Sequence, residues 1–549
     1  MLAYQPHRKA DVSAAKRQSP VTVSGTWFCG LVLIFALTGA WYFFAIAKGT
    51  TFWQVHDDYS HLSLAHAINL QQWINHGTHR PNVGLVGHPG IPFYVVSWLA
   101  LKAALPVGVD EIQQILQNVS TNPEPFWLAI RTAALILNII GVIMVMNCPG
   151  NADTSARLAA AVVFFAVSIE PWDVAITKLG IESFALPYAA LFYIVGYSAL
   201  HNKAKAQFWW LAFGVVAGIG YTLKLHYIVF AVAGLVGLAS ASALGTYTWR
   251  LTVWLACLYI AGFLILVAPT LLLFDHLEGT ERLIQFHKTI ILHTGAYGSG
   301  DPGVLSIDRA EFALNSLIEM RWFVVAAALM VCGYIFLLRT AWRDLKWRKT
   351  ELPFGIVIMT ALSLALGAVI KHFGSRYVIV PIAILPIALL YLSGQAGTVT
   401  GKIGLVAALI ALPFTLLGFY QQQFASRAFA EAVARDVENI KLKPLEAGEF
   451  RLWEYYIPSR EFALGIIARW SEDVQVDKWY ETTALTDRST FSAPTPWRYA
   501  VLEKSRFPTH QAVSRWTQYE PSDRIEFLET TVLLERVPVY PSSGRDRIR

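Results

Sequence analysis

Apolar residues run in blocks of about twenty along most of this chain, the length a helix needs to cross roughly 30 Å of bilayer hydrocarbon. About eleven such blocks stand out, near 26–47, 125–147, 156–171, 180–200, 207–223, 226–243, 251–274, 322–339, 353–370, 377–393 and 404–420. The two on either side of Lys224 read either as two spans or as one kinked segment. Beyond residue 421 the blocks stop. AFAEAVARDVENIKL there has the i, i+3, i+4 spacing of an amphipathic helix, and REFALGIIARW reads as a second. RYAVLEKS and EFLETTVLLERV read as strands. The pattern predicts an α-helical polytopic membrane protein with about 11 transmembrane helices and a small α+β C-terminal domain. It divides the chain into a tail (1–25), a transmembrane domain (26–420) with long loops at 48–124 and 275–320, and a soluble domain (421–549).

Composition agrees. Of 549 residues, 55% are hydrophobic and only 15% charged, against about 25% charged in a soluble domain, so one globular core cannot hold the apolar side chains. Arg8, Lys9, Lys16 and Arg17 precede the first block, and no small-residue cleavage site follows it, which reads as a retained anchor. Basic flanks favour the cytoplasm. Counting spans from an inner N-terminus returns the basic loop RTAWRDLKWRKTE (339–351) to the inside. The same count puts loops 48–124 and 275–320 and the C-terminal domain outside. For a bacterial chain this means the inner membrane, with the site facing the periplasm. The four cysteines lie in spans or a short inner loop, so neither a disulfide framework nor a cysteine metal site is expected. The net charge of +6 is mostly accounted for by inner loops and scattered outer residues, and nucleic acid is not an expected partner.

Charge at the outer ends of spans changes the picture most. Asp57 and Asp58 follow the first span; Glu170, Asp173, Lys178 and Glu182 bracket the third and fourth; Lys224 and His226 lie between the fifth and sixth; Lys371, His372 and Arg376 lie between the ninth and tenth. Ionisable groups at membrane depth are costly and usually face a protein-lined cavity. Acids beside bases are what is needed to hold a phosphate near a carboxylate that takes a proton. Singly, each has a plainer role: Asp57 and Asp58 as the acidic start of a helix, the cations as snorkelling side chains, His56, His61 and His66 as polar-face residues. GHPGIPFYVVSWLALKAAL, from Gly87, suits a segment lying in the interface. HTGAYGSGDPG (293–303) gathers glycines around Tyr297 in an outer loop, where the backbone can approach a ligand or flex.

In this order and spacing the motifs resemble those of the polyprenyl-phosphate-dependent glycosyltransferases of the GT-C fold, in the bacterial branch near the lipid A aminoarabinose transferases and protein O-mannosyltransferases. VHDDYSHL looks like the family's acidic pair and tyrosine, with Asp57, Asp58 and Tyr59. GHPGIPFY resembles its His- or Lys-Pro-Pro turn, with His88 and Pro89. Glu182–Ser183 looks like an Asp–Ser, Lys224 in LKLHY like a basic residue after the next span, and Arg376, Tyr377 and Pro381 resemble an Arg-Tyr-x-x-Pro start to a late span, with one more residue before the proline.

The resemblance implies sugar transfer from a polyprenyl-phosphate carrier to an envelope glycan, glycolipid or protein acceptor on the outer face. Asp57 would be the general base, with Asp58 and Glu182 as further acids. His88, Lys224, Lys371 and Arg376 would hold the donor phosphate, and Tyr59, His293 and Tyr297 would line the substrate loops. A divalent metal, Mg²⁺ or Mn²⁺, is left open, with Asp57, Asp58 and His61 as candidate ligands. Two other classes compete: a polytopic transporter or lipid flippase, against which stands the lack of two similar halves, and an O-antigen ligase or polysaccharide polymerase, against which stands the early acidic pair.

Overall fold

The computed structural model describes residues 22–47, 49–54, 58–76, 90–278, 280–292, 307–371, 373, 375–446, 449–454, 457, 459–460, 463, 482–485, 497–517 and 524–535. The first span, α1 (Thr22–Trp41), ends in a π-helical turn, Tyr42–Ala47. The stretch between the first two spans carries three helices, α2 (Asp58–His76), α3 (Ile91–Ala104) and α4 (Ile112–Thr121). Then come α5 (Glu124–Met146), α6 (Thr154–Ala166), the short α7 (Glu170–Trp172), α8 (Ala185–His201), α9 (Ala206–Leu223) and α10 (Ile228–Ala243). They are followed by α11 (Trp249–Glu278), α12 (Thr280–Leu292), α13 (Ile307–Glu319), α14 (Arg321–Ala341), α15 (Leu345–Thr350), α16 (Leu352–Lys371), α17 (Ile379–Ala396) and α18 (Thr398–Lys441).

Among the described residues, ten helices are long and apolar enough to cross a membrane, or eleven if one bent pair is a single span. That pair is the expected third span: α6 and the segment Glu170–Thr177 meet at 93°. Pro171 lies in the first turn after the bend, where a missing N–H costs nothing. On either side of Lys224, α9 and α10 are two helices, and Lys224 itself is extended (φ −166°, ψ 144°). α17 is buried along almost its whole length, at the centre of the bundle. The α9–α11 pair crosses closely because glycines allow it: a methyl at Gly214 or Gly262 would overlap the facing carbonyl of Tyr259 or Leu211.

α18 is one helix of 44 residues, and its C-terminal turns form one wall of the appendage. There, β1 (Phe450–Glu454), β2 (Thr482–Leu485), β3 (Trp497–Glu503), β4 (Arg524–Phe527) and β5 (Thr531–Glu535) form one sheet in the order β2-β1-β3-β5-β4. β1 runs parallel to β2 and β3, whereas β5 is antiparallel to β3 and β4. EFLETTVLLERV is therefore a hairpin and not one strand. Alternate residues of β3 face opposite ways: Tyr499 and Val501 meet Val433, Val437 and Ile440 of α18, while Ala500 and Leu502 meet Phe507 and Val513, the latter on α19 (His510–Thr517). Trp453 and Trp497 are core residues. Asp436, buried, accepts hydrogen bonds from the backbone N–H groups of Glu529, Thr530 and Thr531 and so ties α18 to the β4–β5 turn.

Candidate functional site

Glu182 and Lys224, 42 positions apart, form an ion pair of 2.6 Å in which the residues are only 5% and 3% exposed. The local sequence explains how each reaches it. The Ser183 hydroxyl donates to the Val174 carbonyl (2.7 Å) and accepts from the Gly180 N–H (3.1 Å), closing the 3-10 turn Ile181–Phe184 that carries Glu182. Lys224 occupies the extended break between α9 and α10. Its ammonium also lies 4.1 Å from the centroid of the Tyr377 ring. His226 stacks on that ring at 4.6 Å, and the Arg376 guanidinium is 5.5 Å from its centroid. Tyr377 thus gathers three bases from the ends of spans. Among the described residues of the cluster, one carboxylate stands with two permanent cations, in a place where burial strengthens every interaction.

Lys371 stands apart from this group. Its Nζ donates to the Ile291 carbonyl (2.7 Å) at the end of α12, where a cation meets the negative end of the helix. Nearby, the Tyr221 hydroxyl is 2.9 Å from His287 Nε2. Lys178 pairs with Asp173 at 2.6 Å.

Asp58, Tyr59 and His61 lie in the first turns of α2. Asp57, His88, His293 and Tyr297 lie outside the described residues, and so do the side chains of Asp58, Tyr59 and His61. The candidate metal ligands belong to this set. What precedes and follows the acidic pair is well defined. Upstream, the Phe52 N–H donates to Glu124 (3.0 Å), and the Trp127 indole and Arg131 guanidinium both donate to the Thr50 carbonyl (3.0 and 2.9 Å). Downstream, α2 packs on α3: the Trp98 indole donates to Gln71 (2.8 Å), and His66 lies 4.2 Å from Tyr94, ring to ring. Sequence reasoning passed over Arg131 and Glu124. Arg131 had a signal, a lone ionisable residue inside an apolar run.

A comparison with solved structures gives the crystal structure of ArnT from Cupriavidus metallidurans bound to undecaprenyl phosphate, at a TM-score of 0.51 and 13% identity, covering 94% of this chain and 99% of that one. The same protein in the apo state aligns at a TM-score of 0.37 and 13% identity, over 93% and 98% of the two chains. The archaeal oligosaccharyltransferase AglB from Archaeoglobus fulgidus, in complex with an inhibitory peptide and a dolichol-phosphate, aligns at 0.45 and 12% identity, over 90% and 71%. No family model and no curated protein sequence matches. The first of these likenesses extends over nearly the whole of both chains. The chain therefore has the GT-C fold, that of a multi-pass integral membrane protein.

Proposed function

We propose that this chain is a membrane glycosyltransferase that moves a sugar from a polyprenyl-phosphate carrier to an envelope glycan or glycolipid on the outer face of the membrane. The observation that carries the reading is the cluster of buried Lys224 and Glu182 with the half-buried Arg376 at the ends of spans in a GT-C fold. In such a reaction the leaving group is a phosphate anion, and fixed cations lower the barrier by stabilising charge that develops on it. Lys224 and Arg376 take that role, with His88 as a further donor. Asp57 takes the proton of the acceptor hydroxyl, and Asp58 orients it.

Lys371 holds the end of α12 through the Ile291 carbonyl. The appendage touches the segments on either side of the first loop: Arg460 donates to the Ser120 carbonyl (3.2 Å), and its guanidinium is 5.7 Å from the Trp53 ring centroid. That placement supports a part in guiding the acceptor.

Arg376→Ala removes one cation from the rim of the cluster and leaves the Lys224–Glu182 pair in place. Hydrogen bonds to charged groups are worth about 1.5–3 kcal/mol, so the variant is expected to need at least tenfold more polyprenyl-phosphate sugar for half-maximal transfer, with an unchanged melting temperature. Unchanged donor dependence would return Arg376 to a snorkelling role. Orientation has its own check. A Ser299→Cys probe in the 275–320 loop is expected to react with a membrane-impermeant maleimide on cells whose inner membrane is intact. Labelling only after that membrane is permeabilised would overturn the outward-facing site.

A further inference from the structure

Arg131 is buried on the second turn of α5, about 10 Å below that helix's outer end at 1.5 Å per residue. Its guanidinium gives its donors to backbone carbonyls. Nε donates to Thr177 (3.0 Å), Nη2 to Thr50 (2.9 Å) and Nη1 to Ala45. The Trp127 ring supports the guanidinium from 4.0 Å, and its indole N–H reaches the same Thr50 carbonyl. These carbonyls belong to two segments far apart in sequence. Thr50 precedes the acidic pair Asp57–Asp58 by seven positions, and Thr177 precedes Glu182 by five. An apolar side chain would fill the space without the desolvation cost of a buried cation. Only a planar fork of fixed N–H groups can hold three carbonyls in set directions at once.

We infer that Arg131 is a positioning residue: it fixes the segment leading to the acidic pair against the segment leading to Glu182, and so sets the distance between the base and the phosphate cluster. The inference rests on the transferase reading for its kinetic consequence, but not for its structural one. Misplacing catalytic groups by about 1 Å costs on the order of 10²-fold.

The experiment compares the parent, Arg131→Lys and Trp127→Phe in lipid nanodiscs, by hydrogen exchange over residues 49–54 and by transfer kinetics with a polyprenyl-phosphate sugar. Arg131→Lys keeps the charge but cannot span the three carbonyls. It is expected to raise exchange at 49–54 and to lower kcat about 10²-fold while the KM for donor stays within about twofold. Trp127→Phe keeps the ring and removes one donor, and is expected to raise exchange at 49–54 more modestly in a protein that remains folded. Parental exchange in both variants would overturn the inference, as would raised exchange with parental kcat in Arg131→Lys. If the parent itself transfers no sugar from this donor, the transferase reading fails, and the exchange arm alone still decides whether Arg131 joins the two segments.

Discussion

Asp57→Asn is expected to lower sugar transfer by about 10²–10⁴-fold, the usual cost of losing a general base, while the protein inserts, folds and binds its lipid donor as before. The substitution separates two readings of the same aspartate. Asp57 immediately precedes the first residue of α2, the sequence position of an N-cap, and as a cap it would be stabilising with no chemical role. Asparagine caps a helix about as well as aspartate, so a capping role predicts that Asp57→Asn is silent in both stability and turnover. A proton acceptor cannot be replaced in this way, because the amide has no basic oxygen at neutral pH. Asp58→Asn is expected to be milder, since an orienting group loses only a hydrogen bond or a share of the local field. The measurement is turnover by purified protein with its native donor, alongside its melting temperature. Near-parental turnover by Asp57→Asn would leave VHDDYSHL as a charged helix start and move the search for the base to Glu182.

The spans were legible because the cost of exposing backbone and charge to hydrocarbon acts on every residue of a crossing helix and so appears as a block in the chain. The cation cluster was legible for the same reason: Lys224 and Arg376 are conspicuous against apolar surroundings. The pairing was not. That Lys224 meets Glu182 while Lys371 meets Ile291 depends on how α8, α9, α12 and α16 are arranged, and nothing in LKLHY or KHFGSRY encodes a partner. The 93° bend after α6 was hidden because hydropathy does not register direction: Glu170, Pro171 and Asp173 in FFAVSIEPWDVAIT mark where a span ends, not which way the next helix runs. The β4–β5 hairpin was read as one strand because its turn, Leu528–Thr530, contains no glycine or proline to mark it. Its turn amides are satisfied by Asp436 from more than ninety positions away. Arg131 was missed for a related reason. Its partners are main-chain carbonyls, which every residue has, so no motif can announce them.

The Lys224–Glu182 pair sets up the second large effect. Removing one partner of a buried ion pair leaves the other charge without compensation, at a cost of about 3–5 kcal/mol. Lys224→Met and Glu182→Gln are therefore each expected to lower the melting temperature, Lys224→Met more, since it leaves a buried carboxylate without its ion-pair partner. The double variant Lys224→Met/Glu182→Gln removes both charges and conserves volume approximately. Replacing a buried pair by neutral groups is often close to neutral in stability, so the melting temperature is expected to return most of the way to the parent. Activity divides the possibilities at this point. If the pair only holds α8 against α9, restoring stability restores transfer. If Lys224 serves the donor phosphate, the double variant folds and stays inactive, because Glu182 is satisfied by the substitution while the leaving phosphate has lost its nearest buried cation. Recovery of transfer together with stability would assign Lys224 to the scaffold and leave Arg376 and His88 to hold the phosphate.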